Sequence, residues 1–155
     1  MKFIIFSDSH GYTNSMSDVL YDIDYKDCDL VIHLGDYVKD AEKLEIEHPN
    51  FNICFISGNN DFKFIENNEK ILEVEGKRIL ACHGHKYNVK IGLERLLITA
   101  KQRHFDIVLF GHTHIPYNNE IDGILFLNPG SITQNGAYCV LTINKGISVA
   151  EIKKV

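Results

Sequence analysis

The chain has 155 residues, 45% of them hydrophobic and 24% charged, a balance that excludes collagen, coiled coil and intrinsic disorder and fits one globular domain spanning residues 1–155. Lys and Arg number 16 against 21 Asp and Glu, a net charge of −5, which argues against a general nucleic-acid or anionic-membrane surface. The four cysteines form no Cys-x-x-Cys pair; the opening apolar run is too short for a signal peptide and no stretch approaches the roughly 18 apolar residues of a membrane helix, so the expected compartment is cytoplasmic.

Taken in chain order, the first half alternates strand and helix patterns. Lys2 to Ser7 reads as a buried strand, Thr13 to Asp22 as a short helix, and Leu30 to Leu34 as a second strand. Lys39 to Glu47 follows as an amphipathic helix and Phe51 to Ile56 as a third strand. Such spacing predicts parallel pairing through crossovers. The second half is richer in strands. Ile71 to Val74 and Arg78 to Ala81 flank Gly76-Lys77 as a hairpin, and Gly92 to Arg103 reads as a helix with Leu93, Leu96, Leu97 and Ala100 on one stripe. Asp106 to Phe110 and Ile124 to Leu127 are strands, and Ala137 to Ile143 pairs with Ile147 to Ile152 across Asn144-Lys145-Gly146. Two packed sheets with helices outside are expected. Cys54 and Cys139 lie in apolar runs and read as small buried hydrophobes.

The chemistry-bearing residues cluster just after predicted strands, where ligands bind in α/β folds. Asp8 and His10 follow the first strand, and an extended chain would point both the same way. Asp36 follows Gly35 at the end of the second strand, and Asn59 follows Gly58 at the end of the third. His83 and His85 follow the hairpin, with Cys82 on the opposite face, while His112 and His114 occupy the turn after Asp106 to Phe110. Asn128-Pro129-Gly130-Ser131 forms a rigid turn whose Asn128 amide is placed to support a ligand shell. Helix caps and surface turns are the ordinary alternatives for each segment alone. Together, two Asp, one Asn and four His without a thiolate suit two borderline divalent ions, manganese, iron, cobalt, nickel or zinc, rather than a magnesium cage. His33, His48 and His104 fall outside these segments and read as structural or solvated.

The ordered set Asp-x-His, Gly-Asp, Gly-Asn-x-Asp, His-Gly-His, Gly-His-Thr-His and Asn-Pro-Gly-Ser, from Asp8 to Ser131, resembles the calcineurin-like metallophosphoesterase superfamily, in particular its small single-domain phosphodiesterases. The resemblance implies an α/β fold, a four-layer αββα sandwich of two mixed sheets flanked by helices. It assigns Asp8, His10, Asp36 and His114 to one metal ion and Asp36, Asn59, His83 and His112 to the other, with Asp36 bridging, and it places manganese first among the candidate ions. Many catalytic members carry His after the metal-binding Asn, where it helps protonate the leaving group. This chain has Asn60 there, which cannot act as a general acid at neutral pH, and His85 is the alternative donor.

The function so implied is metal-dependent hydrolysis of a small phosphate diester. The alternative is a protein-interaction scaffold of the same fold, as in the retromer subunit. A repair-type nuclease is disfavoured by the small size and negative charge. No stable nucleic-acid complex and no membrane partner are expected, and a homo-oligomer is compatible with the sequence. Specificity is expected from pocket walls that include Tyr12, Tyr37, Phe62 and Tyr117.

Overall fold

The computed structural model describes residues 1–61 and 68–155, so Phe62 lies outside the described residues. The first strand shows why the chain folds in layers. In β1 (Lys2–Phe6), Phe3 and Ile5 face one apolar layer while Ile4 and Phe6 face another, and all four are buried. A strand apolar on both faces belongs at the centre of a sheet covered on each side. It pairs in parallel with β2 (Leu30–His33), which pairs in parallel with β3 (Ile53–Phe55). On its other side it meets β9 (Ala137–Asn144), which pairs with β10 (Ile147–Lys154), both antiparallel. The sheet order is β10-β9-β1-β2-β3.

The second sheet contains β4 (Glu69–Val74), β5 (Lys77–Cys82), β6 (Ile107–Leu109), β7 (Tyr117–Ile121) and β8 (Ile124–Asn128). Its order is β4-β5-β6-β8-β7, with the three central strands parallel and both edges antiparallel. Phe3, Ile5 and Ile32 of one sheet pack between the sheets against Ile79, Ile107 and Leu127 of the other. Helices α1 (Asn14–Tyr21), α2 (Val38–Glu47) and α4 (Ile132–Asn135) place Met16, Leu20, Leu44 and Ile132 over the outer face of the first sheet. Helix α3 (Glu94–Gln102) covers the second with Leu96 and Ala100. The expected αββα sandwich is the observed fold. No helix among the described residues is long and apolar enough to cross a membrane.

Three hairpins differ in detail from the sequence reading. The β4–β5 turn is Glu75-Gly76, with φ of 48° and 79°, not Gly76-Lys77, because Lys77 pairs with Val74 inside the ladder. Lys145-Gly146 repeats the pattern with 50° and 77°, and Asp122-Gly123 with 52° and 79°. Two successive positive φ values are what a tight two-residue hairpin requires, and Gly at the second position meets this without a Cβ clash. The Asp122-Gly123 hairpin pairs β8 with β7, a strand absent from the sequence expectation. β7 is an edge strand with exposed Asn118, Asn119 and Glu120, so it carries no apolar alternation; the Asp-Gly pair was its available signal. Helix α4 was likewise unexpected: Ser131 Oγ accepts from Gln134 N at 3.1 Å and caps it.

Two substitutions separate core from turn. Ile5→Ala empties a fully buried position in the layer between the sheets and is expected to lower the unfolding free energy by about 2–5 kcal/mol. Gly123→Ala meets no atom within 4 Å and suffers only the φ of +79°, so it is expected to cost about 1–2 kcal/mol. Urea unfolding of both variants measures the contrast; equal losses would contradict it.

Candidate metal centre

The loops that leave the parallel strands meet at one edge of the sandwich and are tied across both sheets. Asp8 N–H donates to Gly35 O at 3.1 Å, Gly111 N–H to His83 O at 3.0 Å, and Ser131 Oγ to Asp8 O at 2.9 Å. Within these loops the backbone is left-handed at Asp8, His10, Asp36, His112 and His114, with φ between 48° and 67°. Asp, Asn and His tolerate this region better than most residues, yet each non-glycine residue there costs roughly 1–3 kcal/mol unless its surroundings fix it. The expectation that an extended chain aligns Asp8 with His10 is therefore corrected. Their left-handed backbone, rather than period-two alternation, brings Asp8 and His10 together with His114.

Asp8 is fully buried. Its Oδ2 accepts from Ser7 Oγ at 2.6 Å and from His112 N–H at 3.0 Å, whereas Oδ1 has no hydrogen-bond donor among the described residues. That oxygen lies 3.1 Å from His114 Nε2, which is itself 3.3 Å from His10 Nε2. Asp8, His10 and His114 thus offer three ligand atoms within 4.8 Å of one another.

A second group of three, Asp36, His83 and His112, adjoins the first. His83 is fully buried, and its Nδ1 lies 2.8 Å from Leu34 O. A carbonyl only accepts, so Nδ1 carries a hydrogen and Nε2 is turned inward. Nε2 faces His112 Nδ1 at 3.2 Å, Asn59 Oδ1 at 3.2 Å, Asp36 Oδ1 at 3.5 Å and Asp8 Oδ1 at 3.9 Å. A single proton on Nε2 could bridge to only one of these acceptors. A buried acceptor left without a donor, as Asp8 Oδ1 is, is costly, and a divalent cation would satisfy it together with the neighbouring nitrogens and oxygens. The donor set and the unpartnered Asp8 Oδ1 fit two borderline ions.

The other sequence-derived residues fall as follows. Asn60 donates its backbone N–H to Asp36 Oδ1 at 3.0 Å and its side-chain amide to Asp36 Oδ2 at 2.8 Å. Burial opposes ionisation of Asp36, but His83 and the two Asn60 donors outweigh it and lower the pKa. His85 packs against His83 and His112, with ring centroids 5.4 Å and 6.1 Å away, and its Nδ1 is buried without a partner among the described residues. Burial, His83 and Lys86 lower its pKa, so little of it carries a proton to donate at neutral pH. Tyr37 meets His10 edge-on with centroids 5.5 Å apart, Tyr12 is exposed, and Tyr117 is half-buried.

Sequence reasoning missed the residues that brace the loops. Asp61 Oδ1 accepts from the N–H groups of Tyr37 and Val38 at 2.9 and 2.8 Å, and its Oδ2 from Gly58 N–H at 2.8 Å. It therefore caps α2 from a neighbouring loop and locks Asp36 beside Asn59. Gly35 completes this junction: a Cβ there would lie 2.6 Å from Gly58 N. His33, read as structural or solvated, is structural. Gly35 N–H donates to its Nδ1 at 3.3 Å, so its Nε2–H points to Ser9 Oγ at 3.0 Å. Ser9 in turn donates to Asp40 Oδ2 at 2.6 Å, where Gly11 N–H also donates at 2.7 Å. Asn128, expected to support the ligand loops, donates to Gly111 O at 2.9 Å and Thr113 Oγ1 at 3.1 Å. Asp61 closes the Gly-Asn-x-Asp motif but was given no role of its own, and Asp40 was a single acidic residue, indistinguishable in sequence from a surface charge.

The chain belongs to the calcineurin-like phosphoesterase superfamily, whose domain profile matches residues 1–146. It is 32% identical over 149 residues to the probable metallophosphoesterase YsnB of Bacillus subtilis, covering 92% of this chain and 85% of that protein. It is 30% identical over 144 residues to the phosphodiesterase MJ0936 of Methanocaldococcus jannaschii, covering 84% and 83%. Among solved structures, Vps29 of Entamoeba histolytica complexed with zinc superposes with a TM-score of 0.78 over 99% of this chain and 98% of that one, at 20% identity. That last likeness is one of fold.

The buried histidines predict a pH dependence for the metal-free protein. Burial lowers the pKa of His33 against the opposing pull of Asp40, Asp8 and Asp61. Burial, with His83 and Lys90, lowers that of His112 to about 4 from 6.5. Between those values the unfolded chain binds protons that the fold refuses, so stability is full above the unfolded pKa and falls as pH drops through the window. The melting temperature of chelator-treated protein is expected to decline steadily from about pH 7 to about pH 4. A flat profile would contradict the buried, neutral assignment.

Proposed function

We propose that the chain is a metal-dependent phosphodiesterase that hydrolyses a small phosphate diester. Asp8, His10, Asp36 and His114 would hold one divalent ion, and Asp36, Asn59, His83 and His112 the other, with Asp36 shared. Manganese leads the candidates, with iron, nickel, cobalt and zinc compatible with the same nitrogen and oxygen donors. The carrying observation is the buried Asp8 Oδ1, without a donor among the described residues, beside the converging ring nitrogens of His83 and His112 and the Asn59 amide oxygen. Such ions supply Lewis acidity toward phosphoryl oxygens and make water a competent nucleophile at neutral pH. The phosphodiesterase among the relatives supports the diester. The complete donor set favours an enzyme over an interaction scaffold, which has no physical need of it. Four unpaired cysteines support a reducing, cytoplasmic compartment, and the charge of −5 supports a small substrate rather than a nucleic-acid partner.

The chain's own groups set the limits of this chemistry. His83 keeps its Nε2 turned inward because Leu34 O holds its other nitrogen. Asn60 orients and ionises Asp36, and its amide is engaged there rather than free for a departing oxygen. With His85 also lowered in pKa, leaving-group protonation is weakly supplied.

Two outcomes follow. Purified protein is expected to bind two ions per chain and to cleave bis(p-nitrophenyl) phosphate only when loaded with metal. Asp36→Ala should lose both ions and turnover. Metal analysis paired with the diester assay tests this, and a folded Asp36→Ala protein retaining both ions would refute the shared-ligand assignment. Rates should also fall steeply as leaving-group pKa rises, and Asn60→His should flatten the slope, raising poor leaving groups by up to the roughly 10²–10⁴-fold of general acid catalysis. A shallow wild-type slope that steepens only in His85→Ala would instead make His85 the acid.

A further inference from the structure

Beside the candidate metal centre lies a cavity of about 450 Å³ that the proposed chemistry does not use. Its walls are apolar and partly aromatic: Leu93 from the start of α3, Phe110 from the end of β6, Ile115, and Tyr117 from β7. The Phe110 and Tyr117 rings sit 6.1 Å apart at a tilt of 57°. The cavity reaches the metal-binding loop directly, because Thr113 lines it and stands between His112 and His114. Thr113 Oγ1 is already engaged by Asn128 Nδ2 at 3.1 Å and Ile115 N–H at 3.2 Å, so it presents mainly its methyl group.

One cation borders this apolar space. Lys90 lines the cavity, is exposed, and makes no ion pair among the described residues. It shares the cavity wall with Thr113, which joins His112 to His114. In a chain of net charge −5, an unpaired Lys on the wall of an apolar cavity that adjoins the ligand loop through Thr113 matches an anionic ligand that carries an apolar body.

We propose that this cavity is the subsite for an aromatic substituent of the phosphate ester, with Lys90 attracting the anionic phosphate at its mouth. The argument rests on the phosphodiesterase reading for the location of the phosphate. It adds what that reading lacks: discrimination by the group attached to phosphorus. Flat aromatic groups suit the space because Phe110 and Tyr117 offer tilted ring faces and edges, and a wall of Leu93 and Ile115 adds area without directional demand. A methyl ester would reach the same phosphate position and leave the cavity to solvent.

Binding of two small phosphonates to zinc-loaded protein tests this without turnover. Phenylphosphonate and methylphosphonate share the anionic group and differ in the apolar body. Calorimetric titration is expected to show phenylphosphonate binding about 10-fold or more tightly, the gain available from burying a ring. Leu93→Trp fills the cavity and Ile115→Ser strips an exposed wall, and each should carry the ratio toward one. Ile115 is 69% exposed, so its replacement keeps the fold even where the larger Leu93→Trp change does not. Lys90→Gln should weaken both ligands alike and leave the ratio. Equal affinities in the unmodified protein, or a preference that survives Ile115→Ser, would overturn the subsite. Absence of diester turnover would overturn the phosphodiesterase reading while leaving these binding ratios readable, so the two failures are distinct.

Discussion

Asp8 has one carboxylate oxygen that the protein satisfies and one that it does not, and the surrounding loops are organised around that asymmetry. Ser7 and His112 occupy Oδ2, and Oδ1 is left facing His114 and His83 in a buried space. An arrangement of this kind is unfavourable for the chain by itself. It persists because the carboxylate's backbone is clamped from three directions, by Gly35 O, by Ser131 Oγ and by Ile132 N–H on Ser7 O at 3.2 Å. Those clamps come from the ends of β2 and β8 and from α4, so both sheets must be packed before the oxygen can be held out of reach of donors.

The same logic governs the left-handed ligand loops. Five candidate ligands occupy a backbone region that side chains seldom adopt. The network from His33 through Ser9 to Asp40, and the cap that Asp61 places on α2, convert core rigidity into loop geometry. Neither network touches the convergence point through its own carboxylate. Each acts by fixing where a neighbour's backbone runs, and this is why the loops can remain short.

Much of this was legible in the sequence, for identifiable reasons. The sandwich could be read because β1 and β2 are apolar on both faces, which only central strands are. The candidate ligand residues could be picked out because Asp, Asn and His recur after successive apolar runs, a placement independent of fine geometry. What could not be read depended on neighbours distant in sequence. β7 is polar because it is an edge, and the pairing that makes it a strand is supplied by β8. Asp40 looks like a surface carboxylate until α2 is docked, the motif residue Asp61 shows no role until its cap on α2 is seen, and Asn60 looks like a missing acid until its amide is seen on Asp36. The alignment of Asp8 with His10 was expected for the wrong reason, since local extension was assumed where tertiary hydrogen bonds impose a left-handed turn.

The three two-residue hairpins, at Glu75-Gly76, Asp122-Gly123 and Lys145-Gly146, all lie at the ends of strands opposite to those that deliver the ligands. Glu75 also accepts from Lys145 N–H at 2.5 Å, which joins two of these turns to each other. The molecule therefore has two poles with separate duties. One carries every candidate ligand and is intolerant of displaced backbone; the other carries reversals whose side chains face solvent. Sequence change at the second pole can alter surface, length or attachment while the first stays in register, and a fused peptide or reporter joined there would leave the ligand loops in place. The sandwich is in this sense a scaffold with a handle, able to acquire new associations at one end without renegotiating the chemistry at the other.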